Sequence, residues 1–274
     1  MARPLVRYHG GKWLLAPWII GHFPPHRCYV EPFGGGASVL LRKPRAYAEV
    51  YNDLDGEIVN LFKVARERGE ELAQLCELTP FARVEFAQSY EPVGDPMEQA
   101  RRTLVRSFMG FGSASVSRQV SGFRANSNRS GTTPAHDWMN YPDALRITVQ
   151  RLRGVVIENR DAMVVMCHHD SPDTMHYVDP PYVHETRYLK NKTHAYRHEL
   201  TDGDHEQLAQ GLRQLVGMVV VSGYRCDQYD RLFAGWQRID GRALADGAKA
   251  RVESLWLSPN VRAPGLDFLQ DHVA

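Results

Sequence analysis

The sequence predicts an α/β fold in which a mostly parallel sheet is flanked by helices and interrupted by a helical insertion. Three observations carry that expectation. Apolar runs near residues 28–30, 47–51, 155–159, 174–178 and 217–222 have the length and β-branched content of buried strands. Segments of helical period stand between them, as at 13–20 and 56–62. The first strand runs directly into Gly34-Gly35-Gly36 and then Ala37-Ser38-Val39-Leu40-Leu41, a strand–glycine–helix unit that lets backbone approach a ligand closely.

Composition narrows the class. A chain of 274 residues, 43% hydrophobic and 24% charged, can bury a full core in the manner of soluble globular proteins. No apolar run approaches the roughly 20 residues of a membrane span, and the opening Met1-Ala2-Arg3-Pro4 lacks a signal-peptide core, so a cytoplasmic protein without membrane contact is expected. Cys28, Cys76, Cys167 and Cys226 are far apart and read as buried free thiols in a reducing compartment. Neither His168, His169 and Asp170 nor His184, His194, His198 and His205 offer a ligand pair on one helical face with a third ligand at a usual spacing, so no metal is expected. A net charge of +1 argues against a protein that coats DNA non-specifically, but the charge is unevenly distributed.

Taken in order, the elements place the polar residues. Gly10-Gly11-Lys12 is a turn ahead of a helix carrying Trp13-Leu14-Leu15 and Trp18-Ile19-Ile20, and suits an anion without matching a Walker motif. The first strand, Cys28-Tyr29-Val30, is closed by Glu31-Pro32-Phe33; an acidic residue at that strand end suits a cationic or ammonium-bearing ligand. The second strand, 47–51, is closed by Asn52-Asp53-Leu54-Asp55, and Asp53 stands about 20 residues after the glycines, where a ribose diol would be held. Equally, these acids can cap the following helix, with Asp55 as cap while Asp53 binds. Residues 63–100 turn helical and charged, broken by Pro92 and Pro96.

The stretch 99–136 differs from the rest. It holds Arg101, Arg102, Arg106, Arg118, Arg124 and Arg129 with no Asp or Glu, interleaved with Phe108, Phe111, Phe123, Asn126 and Asn128. This reads as a cationic loop suited to phosphates and base edges, against the alternative of a flexible Ser/Gly loop. Beyond it, residues 155–159 form a strand and Asp161 can cap the short helix 162–166. Residues 183–198 read as a polar loop, Thr201 or Asp202 caps a helix, 217–222 is a buried parallel strand, and 250–257 is a terminal strand.

Asp179-Pro180-Pro181-Tyr182 organises these pieces. The apolar run 174–178 is a strand that the prolines must end, which puts Asp179 at its carboxyl end, the ligand-binding edge of an open α/β sheet. The chemistry of that group is specific. An exocyclic amine on a nucleobase is a poor nucleophile because its lone pair is delocalised into the ring. A carboxylate accepting one amine hydrogen and the Pro180 carbonyl accepting the other would draw the nitrogen toward a tetrahedral, nucleophilic form, while Tyr182 stacks on the base. The competing reading is an ordinary Asp-Pro turn.

Together with Glu31-Pro32-Phe33-Gly34-Gly35-Gly36-Ala37-Ser38 and Tyr8-His9-Gly10-Gly11-Lys12, the Asp179–Tyr182 motif resembles the Dam-type DNA adenine-N6 methyltransferases, phage- or prophage-like members among them. The resemblance covers both ends of the chain and weakens in the middle third. It implies a Rossmann-like S-adenosylmethionine-dependent fold with seven strands, the last antiparallel. It implies S-adenosylmethionine as cofactor, held by Tyr8, Gly11, Lys12, Glu31, Pro32, Phe33, Gly34, Gly36, Ser38, Asp53, Leu54, Asp161, Ala162 and Asp179, the catalytic residues being Asp179, Pro180, Pro181 and Tyr182. It further implies Arg7 facing double-stranded DNA, with Arg118, Arg124, Asn126 and Arg129 as the expected DNA contacts from the cationic stretch. The recognition-hairpin residues typical of GATC-specific members are not found, so the resemblance implies the chemistry and not the target sequence.

The expectation is therefore a catalytic unit, 1–62 with 142–274, and a target-recognition insertion, 63–141, acting as a monomer on DNA by base flipping and direct transfer. Methylation of cytosine N4, an RNA substrate, and a DNA-binding regulator that keeps the fold without catalysis are the alternatives.

Overall fold

The computed structural model describes residues 3–112, 121–126, 131–183, 197–244 and 250–261. Its centre is a sheet of seven strands in the order β3-β2-β1-β4-β5-β7-β6: β1 (Cys28–Glu31), β2 (Ala48–Asn52), β3 (Val155–Glu158), β4 (Thr174–Val178), β5 (Met218–Tyr224), β6 (Gln237–Leu244) and β7 (Ala250–Leu257). The pairs β1–β2, β1–β4, β2–β3 and β4–β5 are parallel, whereas β7 runs antiparallel to both β5 and β6. This is a mostly parallel α/β sheet flanked by helices, with the expected antiparallel last strand.

Strand periodicity divides the core between the two faces of the sheet. Tyr29, Tyr51, Met175, Tyr177 and Val220 turn to one side, where they meet residues of the helices α1 (Ala16–Ile20), α2 (Ser38–Arg42), α3 (Gly56–Leu78), α5 (Pro96–Met109) and α7 (Tyr141–Leu152). Val30, Val50, Val178, Val219 and Val221 turn to the other, against α8 (Ala162–His168), α9 (Asp202–Leu212) and α10 (Asp227–Leu232). The remaining helices, α4 (Arg83–Gln88) and α6 (Pro134–Met139), lie in the 63–141 stretch. The Lys63 boundary falls inside α3, and the apolar side chains of α3 and α5 share one core with Leu5, Tyr29 and Leu40.

Local chemistry fixes the helix ends. Asp55 caps α3 by accepting from the Glu57 amide, Asp95 caps α5 ahead of Pro96, and Thr201 and Asp204 form a reciprocal capping box on α9. Two sequence expectations need correction. Arg101, Arg102 and Arg106 lie on α5, not in a cationic loop, and are neutralised by Glu98, Glu85 and Glu57 from their own and neighbouring helices. Cys167 is exposed, because the buried stripe of α8 is made by Ala162, Val165 and Met166.

β1 is the point at which the fold makes room for a site. Its neighbours β2 and β4 are wound to opposite sides, so their connections diverge and leave a crevice at the carboxyl edge of the strands. Glu31, Asp53 and Asp179 end three adjacent strands at that edge.

Candidate active site

The crevice at the switch point is a cleft open to solvent at the carboxyl ends of the parallel strands. From the N-terminal turn it is lined by Tyr8, Gly11 and Lys12, and from the β1–α2 connection by Glu31, Phe33, Gly34, Gly36 and Ser38. Asp53, Asp179, Pro180 and Pro181 close the lining from the ends of β2 and β4. Residues some 170 positions apart in the chain are thus brought to one wall, as the motifs predict.

The glycine turn is shaped by what stands over it. A Cβ on Gly34 would sit 2.2 Å from the Tyr51 ring, and one on Gly35, whose φ is +46°, would sit 2.7 Å from the Tyr8 ring. Ala37 also takes a left-handed conformation, with φ of 52°, as it enters α2. Such a backbone in a non-glycine residue is strained, and strain of this kind gathers at ligand clamps. The Tyr51 hydroxyl donates to the Gly35 carbonyl at 2.8 Å, so the turn is pinned from below.

Glu31 is buried. Its Oε2 accepts from the Tyr29 hydroxyl and the Leu40 amide, both at 2.8 Å, and Oε1 takes no hydrogen bond among the described residues. Burial pushes its carboxyl up to about 8 despite those two donors. Asp53 is held by the Gly35 and Asp55 amides, each at 2.8 Å, and burial raises it to about 6. Asp55 caps α3 as the sequence allows, and also binds the Arg197 guanidinium at 2.8 Å. The buried Tyr177 hydroxyl finds no hydrogen-bond partner among the described residues, although Tyr177 lines the cleft.

At the end of β4 a charged pair joins the cleft wall. The Lys12 ammonium, expected at the cofactor, donates to both oxygens of Asp179 at 2.7 and 2.9 Å and to the Tyr182 hydroxyl at 2.6 Å. It lies 4.7 Å from the Tyr182 ring centroid, a cation–π distance. Tyr182 stacks on Tyr224 with centroids 4.5 Å apart and planes inclined by 26°. A second carboxylate, Glu253 on β7, approaches Lys12 to 3.5 Å and accepts from the Ser222 hydroxyl at 2.9 Å. Burial pushes the Asp179 carboxyl up to about 6, against the pull of Lys12 and with help from Glu253.

Other predicted residues lie elsewhere. Pro32 gives its carbonyl to Asn52, Leu54 is 44% exposed, and Asp161 caps α8 at the Val164 amide with Ala162 behind it; none of these lines the cleft. Arg7 pairs its backbone amide with Ser107. Arg124 ties the described piece 121–126 to α5 through the Phe108 and Met109 carbonyls, and Asn126 is exposed nearby. Arg118 and Arg129, and the loop 184–196, lie outside the described residues. Sequence reasoning missed Glu253, Arg197 and His198. For Glu253 a signal existed: strand alternation puts it on one face with Leu255 and Leu257, and an acid on a buried apolar face is costly unless partnered.

The cleft's chemistry narrows its ligand. Glu31, Asp53, Asp55 and Asp179 line it, its lysine is engaged by Asp179, and Arg197 is engaged by Asp55 and Glu57. That lining disfavours a phosphate and suits a ligand with cationic groups and a sugar diol.

Comparison with known proteins agrees. The D12 class N6 adenine-specific DNA methyltransferase family model matches residues 8–244. Curated relatives include a "DNA adenine methylase" of Escherichia coli strain K12, 30% identical over 116 residues, which are 40% of this chain and 41% of that protein. Proteins of the same name from Salmonella typhimurium strain LT2 and Serratia marcescens are 31% and 29% identical over 72 residues, 26% of this chain and of each relative. The chain thus matches 41% or less of the length of these relatives.

Proposed function

Because this chain belongs to the D12 class N6 adenine-specific DNA methyltransferase family, we propose that it transfers a methyl group from S-adenosylmethionine to the exocyclic N6 amine of adenine in duplex DNA. The observation that carries this reading is the meeting, in one cleft, of Asp179 and Pro180 with the acid-lined glycine turn. When bound, S-adenosylmethionine supplies a methyl activated on a positively charged sulfur. Glu31 would hold its ammonium, Asp53 its ribose hydroxyls, and the glycine backbone under Tyr8 its body.

The chain's own residues do the rest. Asp179 accepts a hydrogen of the flipped amine and the Pro180 carbonyl accepts the other, so the nitrogen lone pair is directed at the methyl. Tyr182, steadied by Tyr224, stacks on the base. Asp179 then takes the proton that the methylated amine must lose. Flipping the base costs a few kcal/mol, recovered in pocket and phosphate contacts. Residues 63–141, with Arg118, Arg124, Asn126 and Arg129, are proposed as the target-recognition part, and Arg7 as a backbone contact.

The test is to incubate the purified protein with labelled S-adenosylmethionine and unmethylated bacterial genomic DNA, digest to nucleosides and identify the modified base. N6-methyladenine is the expected product. N4-methylcytosine would move the reading to the other exocyclic amine, and label in RNA but not DNA would change the substrate. An Asp179→Ala variant that bound both ligands and methylated at the wild-type rate would refute the mechanism.

A further inference from the structure

The proposed reaction sets Lys12 a problem. Its ammonium covers both Asp179 oxygens, the atoms that must accept hydrogen from the target amine. Lys12 is 4% exposed and cannot swing into water, so the ammonium needs a second anion within reach. Among the described residues one is in place. Glu253, 1% exposed on β7, stands 3.5 Å from the Lys12 nitrogen, its Oε1 fixed by the Ser222 hydroxyl of the adjacent strand β5.

We propose that Glu253 is a positioning residue that takes up the Lys12 ammonium when the target amine arrives, freeing Asp179 as hydrogen acceptor and keeping the pocket one negative charge in excess. This inference rests on the adenine-methylation reading above. Its chemistry follows from charge balance. Lys12 neutralises one of two carboxylates; the uncompensated one matches the positive charge that forms on the amine nitrogen as it gains a methyl. The proton then leaves that nitrogen for Asp179, Lys12 stays with the ionised Glu253, and it returns to Asp179 once that proton is released to solvent. Without Glu253, Asp179 is the one carboxylate among the described residues that the lysine reaches, and amine and ammonium compete for the same oxygens.

Among the described residues, the groups facing Asp179 come from several elements. Lys12 comes from the N-terminal turn, Glu253 from β7, Ser222 from β5, Glu31 from β1, Tyr177 from its own strand and Tyr229 from α10. Of these Glu253 is the carboxylate that reaches Lys12 and holds Asp179 upward, so its removal has a sign.

Glu253→Gln keeps the shape and can still accept from Ser222. Its plateau turnover is expected to fall about 100-fold, the low end of the range for a lost preorganised electrostatic contact, and the acidic limb of its pH–rate profile is expected to move to lower pH. A purely structural role would lower the plateau and leave the limb in place, which would overturn the proposal. Repeating the substitution in a Lys12→Gln background closes the cycle: its cost should largely vanish there, and an equal cost in both backgrounds would refute action through Lys12. If the wild type methylates no adenine, the functional reading fails on its own. The coupling is then read from the Asp179 carboxyl resonance by carbon-13 NMR titration of the free protein. A midpoint lower in Glu253→Gln supports it, and an unchanged midpoint refutes it.

Discussion

Asp179 and Glu31 show how burial sets the chemistry of single carboxyls. Asp179, raised to about 6, must be ionised to accept an amine hydrogen, so methylation should rise with pH through about 6 and level off above it. A pH–rate profile flat from 5 to 8 would contradict this. Asp179→Asn should lose about 10²- to 10⁴-fold in turnover, the range of a missing acid–base group, with S-adenosylmethionine binding retained by calorimetry. Glu31, at about 8, is protonated in the free protein at neutral pH. Its raised value means that the unfolded state ionises first as pH climbs. Wild-type stability therefore loses this contribution between about 4.5 and 8 and none further above. Glu31→Gln should melt above wild type by a margin that grows across that window, while binding S-adenosylmethionine far more weakly. Equal melting curves at pH 5 and pH 8.5 would count against the buried carboxyl.

At the level of elements, the β1–α2 turn is the piece on which the cleft depends. Gly34→Ala puts a methyl 2.2 Å from the Tyr51 ring, which stacks on Phe62 with centroids 4.3 Å apart and has little room to yield. Overpacking of this kind costs about 1–3 kcal/mol, so urea denaturation should show that loss together with weakened cofactor binding. A variant as stable and as competent as wild type would show that the turn tolerates side chains. This turn was legible in the sequence because strand, glycine run and helix follow one another without interruption. The parallel strands were legible for a related reason: buried on both faces, they read as continuous apolar runs. β6 was not, since Gln237-Arg238-Ile239-Asp240-Gly241 is polar and sits at the sheet edge. The arginines of α5 were misread because charge was counted along the chain, whereas Glu57 and Glu85 reach them from other helices. Lys12 shows the same limit, its partners lying 167 and 170 positions away.

For the whole molecule, the question is how a chain of net charge +1 would hold the proposed polyanionic duplex when four carboxylates line its cleft against Lys12 and Arg197. On the proposed reading the two tasks are separated along the chain. Acids collect at the strand ends, whereas the stretch 99–136 carries no acid at all, and once Arg101, Arg102 and Arg106 are paired, the cations left for phosphate come from 118–129. Arg124 already holds the Phe108 carbonyl, so replacing it would mix stability with binding. Arg118 and Arg129 are the cleaner probes of the proposed recognition segment. Each phosphate neutralised contributes about 0.9 to the slope of log affinity against log salt. The Arg118→Ala, Arg129→Ala double variant should therefore bind duplex DNA more weakly with a slope shallower by about 2. If recognition and cofactor binding are separate tasks, its melting temperature and S-adenosylmethionine affinity should match wild type. Fluorescence anisotropy across a salt series reads the slope directly. An unchanged slope would place DNA on another face, and a parallel loss of cofactor affinity would show that recognition and cleft are one coupled unit rather than two tasks divided along the chain.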